Sequence, residues 1–218
     1  MQTIKGAWWH LVKFGFRLLY NELAFTYDAV SFVVSLGEWR LWQRAALQFL
    51  PPISGPVLEL AHGTGNLQLD LHAAGIPSLA IDLSPYMSRI AGHKLRRNNV
   101  PVCLVRARAE QLPLRAQSFA AAISTFPTAF ILAPHTLREV HRVLQPSGRL
   151  IIVPNALFTT KGAAQRGIEL AYRLTGQRGA APLNLHERFA EAGFRLSFAQ
   201  VPAKRSVAQV VIAEKELG

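Results

Sequence analysis

A short glycine turn, His62-Gly63-Thr64-Gly65-Asn66, follows the apolar run Val57-Leu58-Glu59-Leu60-Ala61 and opens a helical pattern that reaches about residue 74. Strand, tight turn and helix in that order aim backbone N–H groups at a ligand lying beyond the carboxyl end of the strand. Glycine lets the ligand approach the backbone closely. About twenty residues beyond the turn, Asp82 ends the next apolar run, where a carboxylate can hydrogen-bond a ribose diol. Two cofactor classes fit such a site. A dinucleotide wants a third glycine where Gln68 stands, for close helix–strand packing around a pyrophosphate. Glu59 weighs the same way, because a carboxylate just before the loop repels a pyrophosphate. It suits a cofactor with a cationic amino-acid portion, whose ammonium group needs acidic company.

The elements that must position these residues alternate. Strands are expected at residues 57–61, 78–81, 102–105, 120–124 and 150–153, with helices between them, the pattern of a parallel α/β sheet. Ser84 can cap the helix after Asp82, with Pro85 at its first position. A helix over 134–144 carries Leu137, Val140 and Leu144 on one face, and Pro146-Ser147-Gly148 turns the chain into the fifth strand. Residues 156–182 form a longer excursion with a helix near 164–174. A last helix over 183–192 precedes two strands, 194–201 and 207–213, joined by the hairpin-like Pro202-Ala203-Lys204-Arg205. The expected architecture is a Rossmann-like, doubly wound seven-stranded α/β sheet, mostly parallel with a terminal antiparallel strand.

Four segments together resemble class I S-adenosylmethionine-dependent methyltransferases, closest to the branch that includes quinone and small-molecule methyltransferases. They are residues 57–66, the run Ala80-Ile81-Asp82-Leu83-Ser84-Pro85-Tyr86-Met87, the run Ala109-Glu110-Gln111-Leu112-Pro113-Leu114 with Ser118-Phe119, and residues 137–150. The match covers roughly residues 55–155. The resemblance implies S-adenosyl-L-methionine as cofactor and methyl transfer as activity. By position, it implies that Glu59, Ala61, His62, Gly63 and Gly65 surround the methionine portion and that Asp82 holds the ribose. Leu83 and Met87 would pack on the adenine, Ala109 and Glu110 would flank its edge, and Thr125 would lie under the sulfonium. Tyr27, in an N-terminal helix of the kind that often lids the cofactor, would face inward. Ala61 and His62 depart from the glycine and small residue or cysteine often found there. Arg108 stands where an acidic residue often meets the adenine amino group.

Methyl transfer needs a base only if the acceptor must lose a proton. His62, His135 and Asn155 are the catalytic candidates, the last two lying near the site edge. No Asn/Asp-Pro-Pro-Tyr follows the fourth strand; the chain reads Thr125-Phe126-Pro127-Thr128-Ala129-Phe130 instead, a mostly apolar loop that suits a small or lipophilic acceptor. The seven histidines show no metal-ligand spacing, and no metal is assigned.

The 218 residues, 50% hydrophobic and 17% charged, suit one well-buried domain and exclude disorder. The division expected is an N-terminal helical lid or extension, residues 1–50, and a methyltransferase domain, residues 51–218. The single Cys103 excludes a disulfide framework, fits a reducing cytoplasm, and reads as a buried strand residue. The net charge of +11 favours anionic partners. The basic run Arg89, Lys94, Arg96, Arg97, Arg106 and Arg108 reads as a solvated face; no aromatic residue interleaves it, which disfavours single-stranded nucleic acid. In residues 7–20, Trp8, Trp9, Phe14 and Phe16 oppose a polar stripe of His10, Lys13 and Arg17. Such a helix can lie on an anionic membrane surface or cover the core. Lys13, Arg17, Glu22 and Asp28 interrupt the apolar stretch, and neither a transmembrane span nor a signal peptide is expected. The rival functions are a membrane-peripheral binding protein with a vestigial cofactor site and an NAD(P)-dependent oxidoreductase.

Overall fold

The computed structural model describes residues 23–159 and 184–216, together with residues 14, 15, 18, 162 and 165–168. Most of the expected first helix, with Trp8, Trp9, Lys13 and Arg17, and most of the 156–182 excursion lie outside the described residues.

Seven strands form one sheet in the order β3-β2-β1-β4-β5-β7-β6. They are β1 (Val57–Leu60), β2 (Ser78–Asp82), β3 (Leu104–Arg106), β4 (Phe119–Thr125), β5 (Leu144–Phe158), β6 (Phe194–Pro202) and β7 (Ser206–Lys215). The first five pair in parallel; β7 runs antiparallel to both β5 and β6. β1 is buried along its whole length, as a parallel strand covered on both faces must be. The chain starts in the middle of the sheet, moves outward through β2 and β3, then returns to the other side of β1 as β4. The order therefore reverses between β1 and β4, and the crevice beyond their carboxyl ends is where such folds bind ligands.

The described helices are α1 (Tyr27–Val34), α2 (Trp39–Arg44), α3 (Asn66–Ala73), α4 (Pro85–Arg97), α5 (Pro134–Val143) and α6 (Leu185–Glu191). The expected cap holds: Ser84 Oγ accepts the Met87 N–H at 3.3 Å, and Pro85 opens α4. Gly37, at φ +82°, turns the chain after α1. One core lies under α5, where Leu137, Val140 and Val143 meet Leu58, Leu60, Leu150 and Phe189. The other lies under α2 and α3, where Trp42, Ala45 and Ala46 meet Leu67, Ile123, Ile151 and Val210. Trp42 donates its indole N–H to Ser206 Oγ at 2.6 Å, and Ser206 donates to Glu38 Oε2 at 2.5 Å. The part of the N-terminal segment that follows Gly37 is thus built into the sheet's core.

Three details differ from expectation. Cys103 is exposed, because the chain joins the edge strand β3 only at Leu104 and Cys103 stays outside it. Residues 144–148 run along β4 as an irregular start of β5, not as a separate turn; Phe119 faces Leu144 and Ala121 faces Arg149 across the register shift. Lys94 is not part of a solvated basic face; it is ion-paired to Asp28.

Candidate active site

The glycine loop leaves β1 through two left-handed residues, Ala61 at φ +59° and Gly63 at φ +53°, and enters α3 through a third, Gly65 at φ +79°. The two glycines do different work. A Cβ on Gly63 would meet no atom within 4 Å, so this residue faces open space, as a backbone that receives a ligand must. A Cβ on Gly65 would lie 2.9 Å from Ala91 Cβ, so this glycine lets α3 and α4 approach each other.

Asp82, at the end of β2, joins the loop from the next strand. Its Oδ2 accepts the Gly63 N–H at 3.0 Å, and its Oδ1 accepts the Ser84 N–H at 2.8 Å. Each oxygen is fixed by one backbone donor, and a carboxylate oxygen can accept more than one hydrogen bond. His62 is buried and supports the same turn: Nδ1 donates to the Gly63 carbonyl at 2.8 Å, and Nε2 lies 3.4 Å from Ser88 Oγ. Burial lowers the imidazole pKa, and the neutral ring with its proton on Nδ1 is the form that makes the carbonyl bond.

Glu59 sits at the base of the loop, 1% exposed. Gln68 Nε2 donates to its Oε2 at 2.6 Å, and Ser78 Oγ donates to Gln68 Oε1 at 2.9 Å. Burial, opposed by the Gln68 bond and reinforced by the charges of Asp82 and Asp70, pushes the Glu59 carboxyl up to about 8. Gln68, which breaks the three-glycine pattern, thus has a positive role as the partner of a buried acid.

Leu83 is exposed, while Met87 and Ala109 are buried. Glu110 lies 3.8 Å from Arg108, which faces Gln111 in an isolated bridge. α5 fixes this segment: Glu139 accepts the Leu112 N–H at 2.7 Å, and Arg142 donates to the Leu112 and Leu114 carbonyls. Two of the four sequence segments therefore hold each other.

Across the crevice, Thr125 Oγ1 ends β4 and accepts from Gln43 Nε2 at 3.1 Å. Phe126 follows at φ +51°, a costly conformation for a bulky residue. Its ring stacks on Trp39 at 4.0 Å, and Tyr27 meets Trp39 edge-on at 6.2 Å. Trp39 Nε1 and Gln43 Oε1 are buried here and have no hydrogen-bond partner among the described residues. His135 is exposed at the start of α5, with Nδ1 3.1 Å from Arg138 Nη2. Asn155 lies on β5 opposite Gln209, with a buried Oδ1 that has no described partner. The structure thus gathers Glu59, Ala61, His62, Gly63 and Asp82 at the loop, with Thr125 at the end of the neighbouring strand.

The sequence reading did not find Asp28, Thr64, Asn66 and Lys94, which form a polar cluster on the loop's outer side. Thr64 and Asn66 lie within the glycine turn, but nothing local announces their distant partners. Among the described residues no group of His, Cys, Asp or Glu is placed to hold a metal, and no helix is long and apolar enough to cross a membrane.

A glycine loop, a carboxylate held by two backbone donors and a switch-point crevice meet at the carboxyl ends of the strands. Solved structures agree on the fold. A S-adenosylmethionine-dependent methyltransferase from Thermotoga maritima, described as a possible histamine N-methyltransferase, superposes with a TM-score of 0.60 at 21% identity, covering 88% of this chain and 94% of that one. A geranyl diphosphate methyltransferase gives 0.62 at 12% identity, covering 82% and 85%.

Residues 58–152 match the family described as "Methyltransferase domain". The Ubiquinone/menaquinone biosynthesis C-methyltransferase UbiE of Syntrophotalea carbinolica is 36% identical over 142 residues, covering 63% of this chain and 60% of that protein. The Demethylmenaquinone methyltransferase of Beutenbergia cavernae is 36% identical over 136 residues, covering 62% and 55%. Residues 58–152 thus match a methyltransferase domain and are similar in sequence to quinone methyltransferases. The matched part spans 60% or less of the length of these two relatives. The cofactor of the family fits the residues present: open space at Gly63, a backbone-fixed carboxylate at Asp82 and a buried acid at Glu59.

Proposed function

We propose that the chain transfers the methyl group of S-adenosyl-L-methionine to a small lipophilic acceptor of the quinone class. The observation that carries this is the loop itself: Gly63 faces open space with its N–H bonded to Asp82, in a domain similar to quinone methyltransferases. The cofactor, when bound, supplies an electrophilic methyl group that needs little further activation. The chain's own residues must hold and orient. Asp82 accepts from the ribose hydroxyls, with its orientation set beforehand by Gly63 and Ser84. Glu59 gives the ammonium end of the cofactor a negative partner. Ala61 and Gly63 offer backbone, and His62 keeps the Gly63 carbonyl turned away. Met87, Leu83, Ala109 and Glu110 surround the adenine, and Thr125 lies beneath the reacting centre.

The acceptor side is apolar at Phe126 and Phe130 and polar at two points. Trp39 Nε1–H and the Gln43 amide, both buried beside Thr125 and Phe126, suit the oxygens of a quinol ring. His135 remains a candidate for a base, and Asn155 a candidate to assist by hydrogen-bonding the acceptor. α1 serves as a cover: its Asp28 bonds Thr64 and Asn66 of the loop, and Tyr27 at its start meets Trp39 edge-on. A membrane-facing role is supported by exposed apolar side chains ahead of and along α1, with Phe25 at 73% and Phe32 and Val33 at 65%.

Calorimetric titration with S-adenosylmethionine and with NADH is the primary test. The former binds and the latter does not. Asp82→Ala lowers the affinity by roughly tenfold to a hundredfold, the scale of one or two charge-assisted hydrogen bonds. Methyl incorporation into the ring of a demethylated naphthoquinol completes the assignment. A folded Asp82→Ala protein with parental affinity overturns the placement of the ribose.

A further inference from the structure

The glycine loop is held from the sheet side by Asp82 and His62. From the other side it is held by an N-terminal helix. Asp28, in the first turn of α1, accepts the hydroxyl proton of buried Thr64 on Oδ1 at 2.5 Å and the Asn66 amide on the same oxygen at 3.1 Å. Its Oδ2 accepts from Lys94 Nζ at 2.6 Å, and Lys94 also donates to Asn66 Oδ1 at 2.7 Å. Four side chains from α1, the loop, the start of α3 and the last turn of α4 close on one another. Partial burial alone would raise the Asp28 carboxyl; the hydrogen bonds of Lys94 and Thr64, with the Lys94 charge, hold it below the usual carboxylate range instead.

An isolated surface pair of Asp and Lys contributes little. Here the carboxylate also satisfies the Thr64 hydroxyl, which lies between the two loop glycines and is buried with α1 seated. The helix in turn depends on this contact. Of α1 only Ser31 is buried, while Val30, Phe32 and Val33 are exposed, so apolar burial does little to seat it. A helix with so little core has a low local opening free energy. Its attachments include the Asp28 cluster, the edge-on contact of Tyr27 with Trp39, and the preceding 3-10 turn against α4.

We propose that Asp28 is a positioning residue that couples α1 to the cofactor loop, so that seating the helix and binding the cofactor favour each other. The inference rests on the loop being the cofactor's site. Coupling of this kind is reciprocal: a cofactor that fixes the loop must also hold the helix. Asp28→Asn keeps the size and one acceptor but removes the charge. Lys94→Met removes the cation and keeps the stem.

The test measures S-adenosylmethionine affinity together with hydrogen exchange of the α1 amides, in variants shown to be folded by their melting curves. In the parent, cofactor slows exchange along α1. Each single variant weakens binding by about tenfold, the scale of one hydrogen bond to a charged group. The double variant loses less than the sum of the two single losses, because both break the shared Asp28–Lys94 pair. In the variants cofactor no longer slows exchange in α1. Parental affinity in the single variants, additive losses in the double variant, or undiminished protection of α1 overturns the coupling while leaving the loop assignment intact. A parent protein that binds no S-adenosylmethionine overturns both.

Discussion

Glu59 is the residue whose environment departs most from its ordinary chemistry. Its carboxyl has a pKa of about 8 in the folded chain, against an ordinary value of 4.5. Between those values the native state keeps a proton that the unfolded chain has lost. The stability linked to that proton is therefore fully present below the ordinary value and is lost as pH rises toward about 8. The cofactor-free protein should melt at falling temperature across this window, and Glu59→Gln should flatten the slope. A cation held near Glu59 reverses the preference and ionises it. Binding S-adenosylmethionine in the same window should then release about one proton per site, visible as a dependence of the binding heat on the buffer's ionisation enthalpy. Binding heats that are the same in every buffer would separate Glu59 from the cofactor.

The loop and its flanking helices depend on two glycines with different duties, and substitutions should tell them apart. Gly63→Ala incurs the left-handed penalty of about 1–2 kcal/mol and projects a methyl group into the open space proposed for the ligand. It should lower cofactor affinity more than stability. Gly65→Ala incurs the same penalty and also forces a Cβ against Ala91, adding about 1–3 kcal/mol of overpacking between α3 and α4. Its melting temperature should fall further. Equal stability losses in the two variants would contradict this division.

What was legible in the sequence follows the same line between local and distant. Strand, glycine turn, capped helix and acidic strand end are written in adjacent residues, and all appear where the pattern puts them. So does the terminal antiparallel pair, because a four-residue link between two alternating runs has few other outcomes. The Asp28 cluster was not legible, since its partners lie 36 and 66 residues away and a Lys in a basic run looks like any solvated cation. Cys103 was misplaced for a related reason. An apolar neighbourhood suggests burial, but an edge strand can begin one residue later. Gln68 was legible only as a missing glycine, and its bonds to Glu59 and Ser78 required the fold.

At the scale of the whole molecule, the uneven surface is the feature that most bears on how the proposed acceptor would arrive. Phe25, Phe32 and Val33 are exposed along the N-terminal side, and the chain carries a net charge of +11. Near an anionic surface each basic residue contributes about 1 kcal/mol. Full-length protein should co-sediment with vesicles of anionic phospholipid at low salt, less with neutral ones, and removal of residues 1–19 should weaken the association. Protein that stays in the supernatant with anionic vesicles assigns the aromatic segment to covering the core or a second copy instead.

The exposed thiol of Cys103 gives the molecule a single chemical address. It sits at the amino edge of the sheet, at the opposite end of the strands from the glycine loop. A maleimide dye will attach at one known place without entering the crevice, and its energy transfer to a fluorescent cofactor analogue gives a ruler across the sheet. The same address has a hazard. In air, without reductant, two copies can be bridged covalently through Cys103 alone, and dimers that vanish on adding a thiol say nothing about how this protein assembles.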